Sequence, residues 1–361
     1  MTASLLLGGA ILLAITVSGV LFSYFSSPRK GVGGIPTIPL WVALMPLVKD
    51  VDQQDVFTKC IEKPLRKHGA ASIFFAGQWN VLIHKLAYLA EVFRSEDIYQ
   101  KSGNYSKIPH SVLAALLGDN IISSRGETWN KLCTRLLSAR DSGQLTEKQF
   151  RDNVTVLFVA GQENPQLAIL STMYLLAKHP DMQDRLFDEL SQQPGKPVDA
   201  EYLDSLPLLT SIIYESLRLF PPTGQLINRR VASAVYLGDA IFLPEGTYVG
   251  YNCYSTNRDP DAWGQDADAF RPSRWGCSRR DIHREYRRRR TRAEFITFHG
   301  GQRECLGEQF AVLQLKATLY TLVTSLRWRL DTTWLDRMTP VSKTGWRNLR
   351  LLFEQRAAAP T

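Results

Sequence analysis

Apolar residues recur along this chain in two rhythms. Over residues 150–179 they keep helical spacing for a long stretch, interrupted by Gly161 and Pro165. Residues 180–190 read as an amphipathic helix with proline at its start, and 209–220 as another, stopped by Pro221-Pro222. Segments 88–93 and 111–117 look helical, Gly126-Glu-Thr-Trp129 opens a further helix, and 305–326 forms a last long one. The second rhythm is alternation. Residues 72–83 alternate around a turn at Gly77, and 230–252 read as short strands with turns at Gly238-Asp239 and Glu245-Gly246. The fold class this predicts is mainly α with small β sheets. There is no internal repeat.

The N-terminus breaks this pattern. Leu5 to Phe25 carries no charge and is about long enough to span a bilayer as a helix. Arg29 and Lys30 follow it, so the positive-inside rule keeps the C-terminal side cytosolic. A cleaved signal would need a basic region before its apolar core, and Met1-Thr-Ala-Ser supplies none. The predicted organisation is a transmembrane signal anchor at 1–26, a Gly/Pro hinge at 27–40, and one catalytic body at 41–361.

Composition adds less. The 361 residues are 44% hydrophobic, enough for a sizeable core, with a formal net charge of +8. No nucleic-acid motif accompanies that charge. Much of it lies in one run, Arg279-Arg280 through Arg284 and Arg287-Arg-Arg-Arg290 to Arg292. Such a run reads first as a solvated loop, with an acidic-partner or targeting site as the alternative. The five cysteines, Cys60, Cys133, Cys253, Cys277 and Cys305, are odd in number and widely spaced, which suits a reducing compartment. Neither they nor the six histidines show zinc-ligand spacing.

The chemistry concentrates in Phe298-His-Gly-Gly301-Gln-Arg303-Glu-Cys305-Leu-Gly307. Glycines flank a cysteine that stands just before an apolar helical run. A thiolate there gains from the helix dipole and unpaired N–H groups. Arg303 can meet an anion beside it. A thiolate near an arginine-paired anion is what thiolate-ligated haem requires, since haem carries iron and propionates.

The segment resembles the haem-binding loop of the cytochromes P-450, Phe-x-x-Gly-x-Arg-x-Cys-x-Gly, at all five fixed positions. The resemblance implies a haem whose iron is held by Cys305, with Phe298, Gly301, Arg303 and Gly307 shaping the loop. It implies a structural trio in Glu215 and Arg218, three apart on one helix, and Arg274 from Phe270-Arg-Pro272-Ser-Arg274-Trp275. The family's acid before that arginine is Ser273 here. By the same resemblance Arg230 and Trp129 pair with the haem propionates, although the basic residue four positions after the tryptophan is Cys133.

In the long helix, Ala160, Gly161 and Glu163 match the family's oxygen-activating segment, and Asn164 stands at its threonine position. Pro165 frees a carbonyl one turn back. An asparagine orders water but transfers protons poorly, so Glu163 and Asn164 are consistent with water-relayed hydroxylation or with oxidative phenol coupling. Residues 158–166 are similar to fungal members of the dityrosine-forming group. Between Trp129 and Ala160 only 30 residues intervene. The family places several pocket-roofing helices in that interval, so a block is expected to be missing.

The implied activity is monooxygenation of a small lipophilic substrate, in a fungal biosynthetic pathway, at the endoplasmic reticulum membrane. Dioxygen is the co-substrate and NADPH-cytochrome P-450 reductase the electron source. Substrate contacts are expected at 108–117, 158–160, 223–225 and 342–344. A shortened, catalytically impaired haem protein is the remaining alternative.

Overall fold

The computed structural model describes residues 32–102, 129–192, 198–336 and 348–356, with Thr16 and Gly19. The proposed anchor thus lies outside the described residues except at those two helical positions, as do 111–117 and 126–128. No helix among the described residues is long and apolar enough to cross a membrane.

Eight helices carry the argument: α1 (Leu40–Val48), α2 (Leu86–Arg94), α3 (Trp129–Asp141), α4 (Glu147–Lys178), α5 (Pro180–Ser191), α6 (Pro207–Leu219), α7 (Arg279–Thr291) and α8 (Glu308–Ser325). The strands are β1 (Ala70–Phe75), β2 (Gln78–Ile83), β3 (Tyr99–Lys101), β4 (Gln225–Val231), β5 (Val235–Leu237), β6 (Ile241–Leu243), β7 (Tyr248–Asn252), β8 (Leu326–Leu330) and β9 (Leu351–Gln355). One sheet has the order β1-β2-β7-β4-β3, and β5-β6 and β8-β9 form two small ones. The alternation at 72–83 becomes the β1-β2 hairpin, whose turn places Ala76 at φ 53° and Gly77 at φ 81°. A left-handed pair of this kind matches the twist of the flanking strands.

Upstream of α1 the chain already packs on this sheet. Ser72 donates to the Pro36 carbonyl and Ile38 to the Ser72 carbonyl, each at 2.8 Å, and Ile38 is buried.

Helix α4 opens on a reciprocal cap, in which the Thr146 hydroxyl accepts from the Gln149 amide and the Gln149 side chain accepts from the Thr146 amide. It runs 32 residues straight through Gly161 and Pro165, so the expected interruption does not occur. Pro165 removes only one backbone donor. The second half of the helix, from Ala168 and Ser171 to Ala177, is buried in the core and holds the helical axis across that gap. Only residues 142–146 separate α3 from α4. The first half of α4 stays open, with Phe158 69% exposed.

The main core joins α4, α5, α6 and α8. On one flank it becomes aromatic: Tyr214 stacks on Tyr286 at 4.7 Å, and Trp275 meets Phe295 edge-on at 5.1 Å.

The basic run is helix α7 and not a solvated loop. Ser278 caps its first turn, where Asp281 also sits, and Ile282 and Tyr286, four apart, are buried. Several arginines have carboxylates of this chain as partners. Arg284 pairs with Asp281, Arg288 with Glu285, and Arg289 with Glu285 and Glu294. Two buried anchors and this internal neutralisation let so basic a sequence stay helical. Replacing Ile282 by alanine is expected to cost about 2–4 kcal/mol in urea unfolding. Replacing the exposed Arg284 is expected to cost under about 0.5 kcal/mol.

Candidate functional site

The cysteine loop folds around close backbone approaches. The Cys305 amide donates to the Phe298 carbonyl at 2.8 Å, closing the loop across a short 3-10 turn at Gly301–Arg303. His299 sits at φ 65° and Gly301 at φ 72°. A β-carbon on Gly301 would collide with the Phe93 carbonyl at the end of α2, and one on Gly300 would lie 2.6 Å from the Phe93 ring. The glycines therefore allow α2 to back directly onto the loop. Gly307 caps α8.

Cys305 is half-buried beside the main core. Burial pushes its thiol pKa up, and the hydrogen bond from Gly307 opposes that only in part. The sequence reading, which stressed the helix N-terminus alone, understated this desolvation.

Arginine 290 brackets the loop from α7. It pairs with Glu304 at 2.6 Å and Glu308 at 3.1 Å, and Tyr286 donates to Glu308.

The trio from the sequence is assembled. Glu215 and Arg218 are fully buried on α6. Their fork is bidentate, with Arg218 Nε donating to Oε2 and Nη2 to Oε1, both at 2.8 Å. Arg274 Nε reaches Glu215 Oε1 at 3.1 Å, and the Trp275 indole donates to Oε2 at 3.1 Å. Arg218 Nη1 donates to the carbonyls of Asn257 (2.9 Å) and Ala267 (2.6 Å). Asn257, which the sequence reading missed, carries the linkage onward. It accepts from the Ile296 amide at 3.0 Å and donates to Thr297 Oγ1 at 2.8 Å. Thr297 in turn donates to the Leu217 carbonyl on α6 at 2.9 Å. A lone asparagine amid polar residues gave no signal in the sequence.

Arg274 also pairs with Asp266 at 3.0 Å, and its hydrogen bond holds that carboxyl below the usual range. The charged form of Asp266 is thus favoured by folding. Its contribution is complete above its ordinary pKa of 3.8 and fades as pH falls below it.

Arg230 does not join the loop. It is exposed on β4, while its neighbour Arg229 is buried. Consecutive strand residues point to opposite faces, and only the Arg229 side faces the loop. Arg229 Nη2 lies 3.7 Å from Glu96 Oε1, and Arg303 Nε lies 3.6 Å from Glu96 Oε2. Around them Glu96 Oε1, Asn228 Oδ1, Arg229 Nε and Nη2, Tyr251 Oη and His299 Nδ1 are buried without a hydrogen-bond partner. Burial lowers the Arg229 pKa, and burial with Arg229 and Arg290 nearby pushes His299 down to about 4, so its imidazole is neutral near pH 7. The donor set of Arg229, Arg303 and this polar lining fits the carboxylate edge of a haem whose iron meets Cys305. Trp129 begins α3, and its side chain lies outside the described residues.

On α4, Glu163 is exposed, Asn164 is half-buried with Oδ1 lacking a hydrogen-bond partner, and Pro165 is buried. Phe158 to Ala160 line the same open half of the helix, and Thr223 to Gln225 lead into β4. The stretches 108–117 and 342–344 lie outside the described residues.

Fold and loop together define a class: a mainly helical protein presenting a cysteine thiol beside arginines suited to a carboxylated, iron-bearing cofactor. The cytochrome P450 family profile matches residues 130–345, and the chain belongs to that family. Its members are monooxygenase-type oxidoreductases that bind haem with a cysteine thiolate on iron and use redox partners and dioxygen. Cytochrome P450-DIT2 of Saccharomyces cerevisiae is 29% identical over an alignment of 480 positions, spanning 96% of this chain and 98% of that protein. Cytochrome P450 monooxygenase xanG of Aspergillus fumigatus is 28% identical over 455, spanning 85% and 84%. Among solved structures, a mutant cytochrome P450DA heme domain superposes with a TM-score of 0.71 over 90% of this chain and 98% of that one, at 15% identity, which shows the shared fold.

Glu215→Gln leaves Arg218 buried without its counter-charge and Arg274 with Asp266 alone. It is expected to cost about 3–5 kcal/mol in urea unfolding. Lys148→Ala, at an exposed ion pair on α4, is expected to cost under about 0.5 kcal/mol.

Proposed function

We propose that this chain is a membrane-anchored haem-thiolate monooxygenase that oxidises a small lipophilic organic substrate in fungal secondary metabolism. The half-buried Cys305 thiol, held in a loop whose Arg303 shares Glu96 with the buried Arg229, carries the reading. Cys305 holds the iron; Arg303 and Arg229 hold a propionate edge, with Arg229 in place of Arg230, to which the resemblance assigned that part. Bound haem would supply dioxygen activation, with the thiolate's electron donation favouring O–O cleavage. Glu215, Arg218 and Arg274 keep the loop in register. Electrons come from an NADPH-dependent reductase whose acidic face meets the exposed Arg279, Arg280 and Arg287 of α7. The uncharged segment at 5–25 tethers the body to the endoplasmic reticulum, facing the cytosol.

The alignment with the yeast relative runs over 480 positions, more than the 361 residues here, so the surplus consists of gaps in this chain. With the short α3-α4 connection and the exposed Phe158, this supports the loss of a pocket-roofing block. The reduced, carbon monoxide-treated full chain is expected to give the red-shifted band of thiolate ligation, and Cys305→Ala to lose it. A wild-type spectrum without that band would refute the reading and leave a shortened haem protein without turnover.

A second reaction, oxidative coupling of an aromatic amino-acid derivative, is favoured by Asn164 at the threonine position and by likeness to the dityrosine-forming group. In it the substrate loses two hydrogens and gains no oxygen. Product mass separates the two reactions. If Asn164 is part of the proton path, Asn164→Thr is expected to shift product toward the mass that includes one added oxygen; an unaltered product ratio and oxygen use would place Asn164 outside it.

A further inference from the structure

The carboxylate of Glu96 lies between two guanidinium groups and bonds well to neither. Its oxygens stand 3.7 Å from Arg229 Nη2 and 3.6 Å from Arg303 Nε, beyond ordinary hydrogen-bond reach. Arg229 is 1% exposed, with Nε and Nη2 making no hydrogen bond, and Glu96 Oε1 is itself buried without one. An unsatisfied buried guanidinium is costly, so the cluster is poised for a better-fitting anion. The charge balance agrees, since two arginines face one carboxylate and the adjacent His299 is neutral near pH 7. The backbone fixes the arrangement. Glu96 lies two residues past the end of α2, Arg229 is held in β4 between β3 and β7, and Arg303 ends the 3-10 turn of the cysteine loop.

We propose that Glu96 is a resident counter-ion that occupies the seat of a haem propionate, holding Arg229 and Arg303 together before haem enters and competing with the propionate afterwards. The inference rests on the haem reading above. Glu96 therefore acts in two directions. It steadies the haem-free fold by neutralising buried positive charge, and it weakens the grip on haem by sharing the same two arginines. No bond is made or broken; one carboxylate yields guanidinium contacts to another.

The test uses the full chain loaded with haem. Release is timed by transfer to excess apomyoglobin and followed by absorbance, and thermal unfolding is recorded on the haem-free protein. Glu96→Gln is expected to release haem about fivefold more slowly, the scale of one part-exposed ion pair. The haem-free variant is expected to melt below haem-free wild type. Asp97→Asn, which removes the same charge from the exposed neighbouring side chain, is expected to leave release unchanged. Release from Glu96→Gln at the wild-type rate or faster overturns the inference. Should that variant fail to fold, Glu96→Asp keeps the charge but withdraws it and is expected to slow release by a smaller factor; a rate equal to or above wild type again overturns it. If wild type itself takes up no haem, the haem reading falls and this inference with it. If wild type binds haem and the variants are not slowed, only the inference about Glu96 falls.

Discussion

The bidentate pair between Glu215 and Arg218 anchors the segments that lead into the cysteine loop. Both side chains are fully buried. A buried ion pair in isolation contributes little to stability, because desolvation opposes the attraction. Here the second set of donors and acceptors changes the outcome. Arg274, Trp275 and the Arg271 amide all converge on the same carboxylate. Arg218 spends its remaining donors on the carbonyls of Asn257, Ala267 and Ala269. Segments distant in sequence are thereby fixed to one helix, and the last of them, at Ile296 and Thr297, enters the cysteine loop.

The loop is consequently held from three directions. Asn257 and Thr297 tie its approach to α6, Phe93 on α2 fills the space left by Gly300 and Gly301, and Arg290 of α7 grips Glu304 and Glu308 on either side of Cys305. A thiol presented to a metal needs its position set by neighbours that do not themselves ligate. This geometry supplies such neighbours with ordinary hydrogen bonds and ion pairs. It also explains how a strongly basic helix serves the fold, since Arg290 has a structural task while Arg279, Arg280 and Arg287 remain on the surface.

Most of the site was legible because its residues sit in local patterns. Glycines around Cys305 and the Glu215/Arg218 spacing report their own neighbourhood. The β1-β2 hairpin and, within 230–252, the β5-β6 hairpin were legible for the same reason, each being short-range with left-handed turn residues at Ala76-Gly77 and Gly238-Asp239. What escaped depended on long-range geometry. Arg229 and Arg230 are adjacent and identical in type, and only the pairing of β4 with β7 decides which one faces inward. Asn257 acts through a carbonyl and an amide far away in sequence. The arginine run looked solvated because its helical anchors, Ile282 and Tyr286, are two residues among many charges. Pro165 suggested a break, yet tertiary packing of the following turns carried the helix through it.

The α6 network, acting through Asn257, sets the cysteine loop. Hydrogen–deuterium exchange of wild type and Asn257→Ala tests it most directly, read at the amides of Ile296 and Cys305 with the buried half of α4 as internal reference. The expected result is that both loop amides lose protection together while α4 from Ala168 to Ala177 keeps its own. Loop amides that remain as protected as in wild type, with α4 unchanged, would contradict the claim and leave Phe93 and Arg290 as the groups that hold Cys305 in place.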